Sequence, residues 1–173
     1  LGLEKTGFFE TSALCEIEDY PRKVLKRRWP EVPLFEDVRK LKGDQVGTVD
    51  LITGGFPCQD LSSAGEMRGI GEGTRSGLFR EMLRLATETD RPFILFENVN
   101  RLLSGPSEKK GEWFNNFLWS LAESGYDAEW FCLSAASVGA PHLLAVGVNE
   151  HLGAIGRPGV VIHRKRLGLA GRN

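Results

Sequence analysis

The sequence predicts an α/β fold, built on a mostly parallel sheet with helices on both faces. Two apolar runs, residues 49–53 (VDLIT) and 92–96 (PFILF), have the length of buried parallel strands, and polar or special residues follow each of them. Between them, residues 76–89 place apolar side chains on one face of a helix. A strand, a helix and a second strand in this order are typical of a parallel sheet with crossover connections.

The flanking segments continue this alternation. Residues 20–29 predict a short helix with Pro21 in its first turn. Residues 112–124 carry apolar side chains at helical spacing, and Gly125 is a suitable helix stop. Residues 127–135 alternate between apolar and polar side chains as a strand does.

Composition excludes several classes of protein. A chain of 173 residues with 41% hydrophobic residues can bury one sizeable core, and the net charge of −1 provides no global field for nucleic acid, although a local groove could be basic. The three cysteines, Cys15, Cys58 and Cys132, form no CxxC pair, so neither a disulfide framework nor a metal site is expected. No signal segment and no run of about 18 apolar residues occurs, which indicates a cytoplasmic protein without a membrane partner.

Two chemically reactive side chains follow the two predicted strands. Cys58 lies in the stretch GGFPCQD after the first strand, and Glu97 ends the second, with Asn98 beside it. Ligands of open α/β sheets bind at the carboxyl ends of the strands, so Cys58 and Glu97 are expected at one site. Burial there would raise the pKa of Glu97 and suit it to protonate a ring nitrogen. Arg68 and Arg75, in a glycine-rich loop typical of a closing lid, could stabilise a Cys58 thiolate.

These residues also have plainer interpretations. A cysteine that ends an apolar run is more often a small buried hydrophobic residue than a nucleophile. A glutamate after a strand is more often a helix cap or a surface residue, and a glycine-rich loop is more often simply flexible. The order of the three features, with both reactive residues at strand ends, favours a functional site.

In combination, these stretches resemble the DNA (cytosine-5) methyltransferase family. GGFPCQDLSSAG (residues 54–65) is similar to its Pro-Cys-Gln nucleophile motif, FENV (96–99) to its Glu-Asn-Val motif, and TRSGLF (74–79) to the motif between them. The resemblance implies a Rossmann-like S-adenosylmethionine-dependent methyltransferase fold. Residues 1–146 would form the catalytic domain, in a prokaryotic or phage-type context that includes restriction-modification.

The resemblance also implies a mechanism. Cys58 would attack C6 of a cytosine that is flipped out of double-stranded DNA, and Glu97 would protonate N3. C5 would then accept the methyl group of S-adenosylmethionine. Asn98 would read the polar edge of the heterocycle beside Glu97. The residues implied to contact DNA through the closing loop are Gln59, Ser62, Ser63, Arg68 and Arg75.

Segments on the N-terminal side resemble the cofactor motifs of the family. CEIEDYPRKVL (residues 15–25) and FEDVRKL (35–41) carry this resemblance. It implies that Glu16 binds the ribose hydroxyls, that Ile17 packs on the adenine and that Asp37 binds the adenine edge. A carboxylate after a strand is a good bidentate ribose acceptor, but the acidic run around Glu16 fits a solvated helix start equally well. The implied cofactor-binding residues are Glu16, Ile17, Asp37, Val38, Pro57 and Leu78.

The chain departs from the family pattern at both ends. The first motif of the family, a strand at the centre of its sheet, would precede residue 1, so the predicted fold lacks its first strand. Leu144 and Val146 stand where the family pattern has basic residues. Residues 147–173 predict a basic tail without a recognisable motif, either a phosphate-binding arm or a solvated or frameshifted tail. No target recognition domain is found, so the alternatives are an inactive fragment or a second polypeptide that supplies the missing segments.

Overall fold

The computed structural model of the chain describes residues 2–56, 78–98, 101–105, 109–133 and 160–165. Helices and strands alternate along the chain from the first helix to the fifth. This order confirms the α/β class that the sequence predicts. In chain order the elements are α1 (Gly2–Lys5), β1 (Phe9–Cys15), α2 (Asp19–Arg28), β2 (Leu34–Phe35), α3 (Gly43–Val46), β3 (Leu51–Gly55), α4 (Phe79–Glu88), β4 (Phe93–Glu97), α5 (Arg101–Ser104), α6 (Glu112–Glu123) and β5 (Val160–Lys165).

The longer helices form where the sequence predicts them. Helix α2 has Asp19 in its first turn and three basic residues in its last turn, which complements the helix dipole. On α4, the predicted face is buried, with Phe79, Met82 and Ala86 no more than 2% exposed. Helix α6 ends just before Gly125, which adopts a φ of 79° and thereby closes the last turn.

The sheet has the strand order β2-β1-β5-β3-β4. Strand β1 pairs in parallel with β2, whereas β5 is antiparallel to both β1 and β3. Strands β1, β2 and β3 therefore run in one direction. Strand β5 lies between β1 and β3 and runs in the opposite direction. The expectation of a solvated tail is wrong for Val160–Lys165. These residues hold the centre of the sheet, where the family resemblance places the first strand, because their backbone satisfies the facing edges of β1 and β3.

Two strand predictions need correction. No strand is assigned to residues 127–133, and Phe131 is 79% exposed. Alternation alone does not make a strand, since its backbone groups need an adjacent edge to pair with. Strand β4 forms as predicted, but it is not buried, because Phe93 is 77% and Leu95 is 54% exposed. It is the last strand in the sheet order, and one of its faces is exposed over the described residues.

The chain divides into two compact units. The first holds residues up to Gly55, most of α4 and β4, and β5, and its core includes Leu14, Leu41 and Ile52. The second holds Phe56, residues 78–80, Glu97 and Asn98, and helices α5 and α6. Over the described part of the chain, no helix has the length and apolar character needed to cross a membrane.

Candidate active site

Glu16 is fixed at the carboxyl end of β1. The last three residues of the strand, Ala13–Cys15, are apolar and buried, and the N–H of Glu16 donates to the Phe35 carbonyl oxygen at 3.0 Å, which extends the pairing with β2. The side chain follows the buried strand inward, so Glu16 is only 4% exposed. Its Oε1 accepts a hydrogen bond from the N–H of Glu18 at 2.8 Å. The carboxylate is therefore held in one orientation before any ligand arrives.

An exposed apolar residue follows this buried carboxylate. Ile17 is 57% exposed, while Glu16 beside it is buried. A fixed acceptor next to an uncovered apolar side chain suits a ligand with hydroxyl groups and a flat apolar face. These two side chains fit the ribose and the adenine that the sequence resemblance implies for their positions.

Asp37 follows β2 and is bound by Arg39. The Arg39 Nε lies 2.9 Å from Oδ1 and 3.1 Å from Oδ2, and Nη2 lies 2.8 Å from Oδ2. The backbone N–H of Arg39 also donates to Oδ1, at 3.0 Å. Hydrogen bonds from this guanidinium hold the pKa of the Asp37 carboxyl below its ordinary value. Val38, the next residue, is half-buried.

The carboxylates of Glu16 and Asp37 both lie close enough to the Cys15 thiol to change its pKa. The pKa of Cys15 is raised to about 12, mainly by burial and also by the negative charges of Asp37 and Glu16. Because β1 and β2 are parallel neighbours, their carboxyl ends meet at one edge, which brings Glu16 and Asp37 together. Cys15 itself stays a protonated, buried thiol.

In the second unit, Asn98 is bonded to Phe56. The Asn98 Nδ2 donates to the Phe56 carbonyl oxygen at 3.2 Å. Glu97, the residue before it, is half-buried, and desolvation raises the pKa of its carboxyl above the ordinary value. This rise and its cause agree with the expectation from the sequence.

An aromatic cluster fixes the position of Phe56 in the same unit. Its ring lies 5.5 Å from that of Phe79 and 5.7 Å from that of Phe117, and the last two rings are 5.1 Å apart in an edge-on arrangement. Rings at these separations attract one another beyond their burial alone. Phe56 is 3% exposed and directly precedes Pro57 in the sequence. Leu78, at the start of α4, is half-buried.

Part of the predicted site lies outside the described residues. These positions are Pro57, Cys58, Gln59, Ser62, Ser63, Arg68 and Arg75, together with Leu144 and Val146. Within the described ranges, no group of three His, Cys, Asp or Glu side chains could hold a metal ion.

The sequence reasoning did not identify the role of Arg84. Its Nη2 donates to the carbonyl oxygens of Val38 at 2.8 Å and Leu41 at 2.9 Å. Its Nε and Nη1 pair with Glu81 and Glu88 of the same helix at 2.9 and 2.7 Å. These bonds fix the main chain that carries Asp37 and Val38 against α4. In the sequence, the spacing of Glu81, Arg84 and Glu88 by three and four residues indicates ion pairs along one helix, but not the bonds of Arg84 to the main chain.

The sequence matches a family of known proteins. The family model for C-5 cytosine-specific DNA methylase matches residues 1–143. The chain belongs to this family. Its α/β fold is accordingly of the Rossmann-like methyltransferase class, and proteins of the C-5 cytosine-specific DNA methylase family generally use S-adenosylmethionine and act on DNA.

Relatives occur in bacteria and in a virus. The chain is 38% identical over 144 residues to the Type II methyltransferase M.NgoMIV of Neisseria gonorrhoeae, covering 83% of this chain and 44% of that protein. It is 32% identical over 145 residues to M2.BsuMI of Bacillus subtilis, covering 82% and 36% respectively. M.CviJI of Paramecium bursaria Chlorella virus IL3A is 34% identical over 137 residues, with 79% and 35% covered. The chain thus spans less than half the length of these curated relatives.

Proposed function

We propose that this chain is the cofactor-binding and catalytic part of a DNA (cytosine-5) methyltransferase. The observation that carries the proposal is the hydrogen bond from Asn98 to Phe56. It holds the Glu97–Asn98 pair to a residue that is two positions from Cys58. Covalent geometry limits the Cα atoms of Phe56 and Cys58 to a separation of about 7 Å. A nucleophile and a proton donor are thereby kept in one neighbourhood.

The cofactor site of this proposal is the edge at which β1 and β2 end. Glu16 would accept the ribose hydroxyls, Ile17 would cover the adenine, and Asp37 and Val38 would bind its polar edge. The family resemblance adds Pro57 and Leu78 to the cofactor-binding residues of this proposal. The buried, oriented carboxylate of Glu16 and the exposed Ile17 support this assignment. When bound, S-adenosylmethionine supplies an electrophilic methyl group.

The chemistry assigns one step to each catalytic residue. Cys58 forms a bond from its sulfur to C6 of a flipped-out cytosine, and Glu97 gives a proton to N3, so that the electron pair of the former C5–C6 double bond becomes available at C5. C5 would then take the methyl group from the sulfonium sulfur of S-adenosylmethionine, which leaves as S-adenosylhomocysteine. A base then removes the C5 proton, the electrons of that C–H bond restore the double bond, and the thiolate leaves. The raised pKa of Glu97 supports its role, because a protonated acid is needed at near-neutral pH.

DNA would be contacted by the loop that follows the nucleophile. Gln59, Ser62, Ser63, Arg68 and Arg75 supply donors for phosphates and bases in this proposal. A second polypeptide that supplies target recognition is part of the same proposal. The bacterial and viral relatives favour a restriction-modification or phage context in the cytoplasm.

A second candidate is a catalytically inactive scaffold of the same family. The position of β5 favours it, because an antiparallel C-terminal strand holds the sheet centre that the resemblance assigns to the first strand of the family. Such a chain would keep weak DNA or cofactor affinity without turnover.

The two candidates are separated by trapping the covalent adduct. The chain is incubated with S-adenosylmethionine, tritiated on its methyl group, and DNA that contains 5-fluorocytosine, whose fluorine cannot leave as the proton does. We expect a denaturation-resistant, labelled adduct with the wild type and with the control Cys132→Ser, which changes an exposed thiol. Cys58→Ser should form none. An equal adduct with Cys58→Ser removes Cys58 from the mechanism, and no adduct from any folded variant favours the inactive scaffold.

A further inference from the structure

Three N–H groups of Arg39 bond to the Asp37 carboxylate, and one of them, Nε–H, is shared between both oxygens. An ionised carboxylate offers about four lone-pair sites. Oδ1 accepts from the backbone N–H and the Nε of Arg39, and Oδ2 accepts from Nε and Nη2 of the same residue. An amino group on a ligand therefore has to compete with the Arg39 guanidinium for the Asp37 oxygens.

The surroundings of Arg39 affect this competition. Its side chain is 58% exposed, whereas that of Asp37 is 11% exposed, so water reaches this ion pair from the Arg39 side. The guanidinium also borders an open cleft of about 550 Å³, whose lining includes the acidic residues Asp44 and Glu88. The negative charge of Glu81 acts on Arg39 as well, which places a further carboxylate nearby. Arg39 therefore lines an open cleft and has carboxylates other than Asp37 near it.

The main chain around Asp37 does not depend on Arg39. Arg84 holds the Val38 carbonyl oxygen at 2.8 Å and the Leu41 carbonyl oxygen at 2.9 Å. The backbone N–H groups of Lys40 and Leu41 donate to the Asp37 carbonyl oxygen at 3.0 and 3.1 Å. Removing the Arg39 side chain should leave this turn in place and free the carboxylate.

We propose that Arg39 determines the specificity of the cofactor site by competing with the nucleobase for the Asp37 carboxylate. The inference rests on the proposed function, in which Asp37 binds the adenine edge. The 6-amino group of adenine donates hydrogen bonds, so it competes with the Arg39 guanidinium for the Asp37 oxygens. The 6-oxo group of hypoxanthine accepts hydrogen bonds, which the Arg39 guanidinium can donate. Arg39 thus weakens binding of the adenine compound and reduces its advantage over the hypoxanthine compound.

The test compares two ligands on three forms of the chain. S-adenosylhomocysteine and S-inosylhomocysteine are titrated calorimetrically into the wild type, Arg39→Ala and Lys40→Ala. Lys40 is the matched control, because it lines the same cleft and acts on Asp37 by charge alone. Loss of this partly exposed ion pair should tighten binding of S-adenosylhomocysteine to Arg39→Ala about two- to fivefold. The affinity of Arg39→Ala for S-inosylhomocysteine should equal that of the wild type or be lower. Lys40→Ala should keep the wild-type ratio of the two affinities.

The outcomes separate this inference from the proposed function. If Arg39→Ala binds S-adenosylhomocysteine more weakly, or if both ligands change by the same factor, Arg39 is not a competitor and the inference is wrong. If the three folded forms bind neither ligand, the cofactor site itself fails, and the inference fails with it. If the affinity for S-adenosylhomocysteine relative to S-inosylhomocysteine rises in Arg39→Ala but not in Lys40→Ala, the result supports both the inference and the proposed function.

Discussion

Burial acts in the same direction on Glu97 and Cys15, with opposite chemical results. Desolvation favours the neutral form of each group, so both pKa values rise. For Glu97 this increases the fraction of carboxylic acid near neutrality, which is what a proton donor needs. For Cys15 it removes the thiolate, which is what a nucleophile needs, because the pKa of about 12 lies far above physiological pH. Cys15 therefore does not compete with Cys58 for the nucleophilic role.

The replacement Glu97→Gln should increase the free energy of unfolding at pH 7. The raised pKa means that the folded chain binds this proton more tightly than the unfolded chain does. The wild type therefore loses stability as pH rises from about 4.5, the ordinary value, through the raised folded pKa. Glutamine mimics the protonated acid and escapes this loss. Urea unfolding from pH 4 to 8 should show the two stabilities diverging with rising pH.

Glu123→Gln is the control for this measurement, because it makes the same change at an exposed position on α6. It should not alter the pH dependence. A lower stability of Glu97→Gln than of the wild type at neutral pH would contradict the prediction, since it would mean that the folded state stabilises the Glu97 carboxylate. Under the proposed function, Glu97→Gln should also lose methyl transfer, whatever its effect on stability.

Helix α4 is held by an apolar face, which the sequence predicts, and by a polar contact with α3, which it does not. Its apolar face packs inward, as the periodicity predicts. Its polar side closes on α3, where Glu88 Oε2 accepts the N–H of Gly43 at 2.8 Å. The close approach requires the absence of a side chain at Gly43, because an added Cβ would lie 2.6 Å from the Glu88 carbonyl oxygen.

The replacement Gly43→Ala should destabilise the fold by about 1–3 kcal/mol, which is the usual cost of overpacking. The new methyl group would also lie 2.5 Å from the Glu88 Cβ, so the backbone of α3 or α4 must move. Chemical denaturation monitored by circular dichroism measures the change. Gly2→Ala is the matched control, since an added Cβ there meets no atom within 4 Å and alanine favours the helix. Equal effects of both replacements would show that the α3–α4 contact is looser than described.

Local patterns explain which elements the sequence predicts and which it does not. Helices α2, α4 and α6 follow from periodicity and end signals within a dozen residues. Whether β4 is buried and whether residues 127–133 pair as a strand depend on partners far along the chain. Apolar runs and alternation therefore do not predict either property. The run VVI at residues 160–162 has strand character. Its place in the sheet, opposite β1, involves residues about 150 positions away and has no local signal.

The candidate site shows the same division. A carboxylate after β1 and the Glu97–Asn98 pair after β4 are visible in the sequence as polar residues at strand ends. The bond from Asn98 to Phe56 spans 42 residues, and the contacts of Arg84 to Val38 and Leu41 span 46 and 43. Such contacts require the fold to be known. The sequence therefore predicts candidate site residues at strand ends, but not the bonds that hold Asp37 and Phe56 in place.

The order of the sheet makes the whole first unit dependent on its C-terminal strand. Strand β5 pairs with β1 from Phe9 to Cys15 and with β3 from Leu51 to Gly54. Without β5, both strands would have an unpaired edge in the middle of the sheet. Buried backbone groups without partners are costly, and open edges promote aggregation. Glu16 follows one of these strands directly, so the candidate cofactor site depends on β5 as well.

Deleting residues 157–173 should therefore abolish cooperative unfolding. The deletion removes the hydrogen bonds on both sides of β5, each contributing about 1 kcal/mol, from a fold whose total stability is about 5–15 kcal/mol. Thermal unfolding followed by circular dichroism should show no sharp transition. Deleting residues 166–173 alone is the control and should preserve it, because β5 ends at Lys165. A synthetic peptide of residues 157–173 should restore the transition when added to the shortened chain. If the chain of residues 1–156 unfolds as cooperatively as the full chain, β5 does not hold the centre of the sheet.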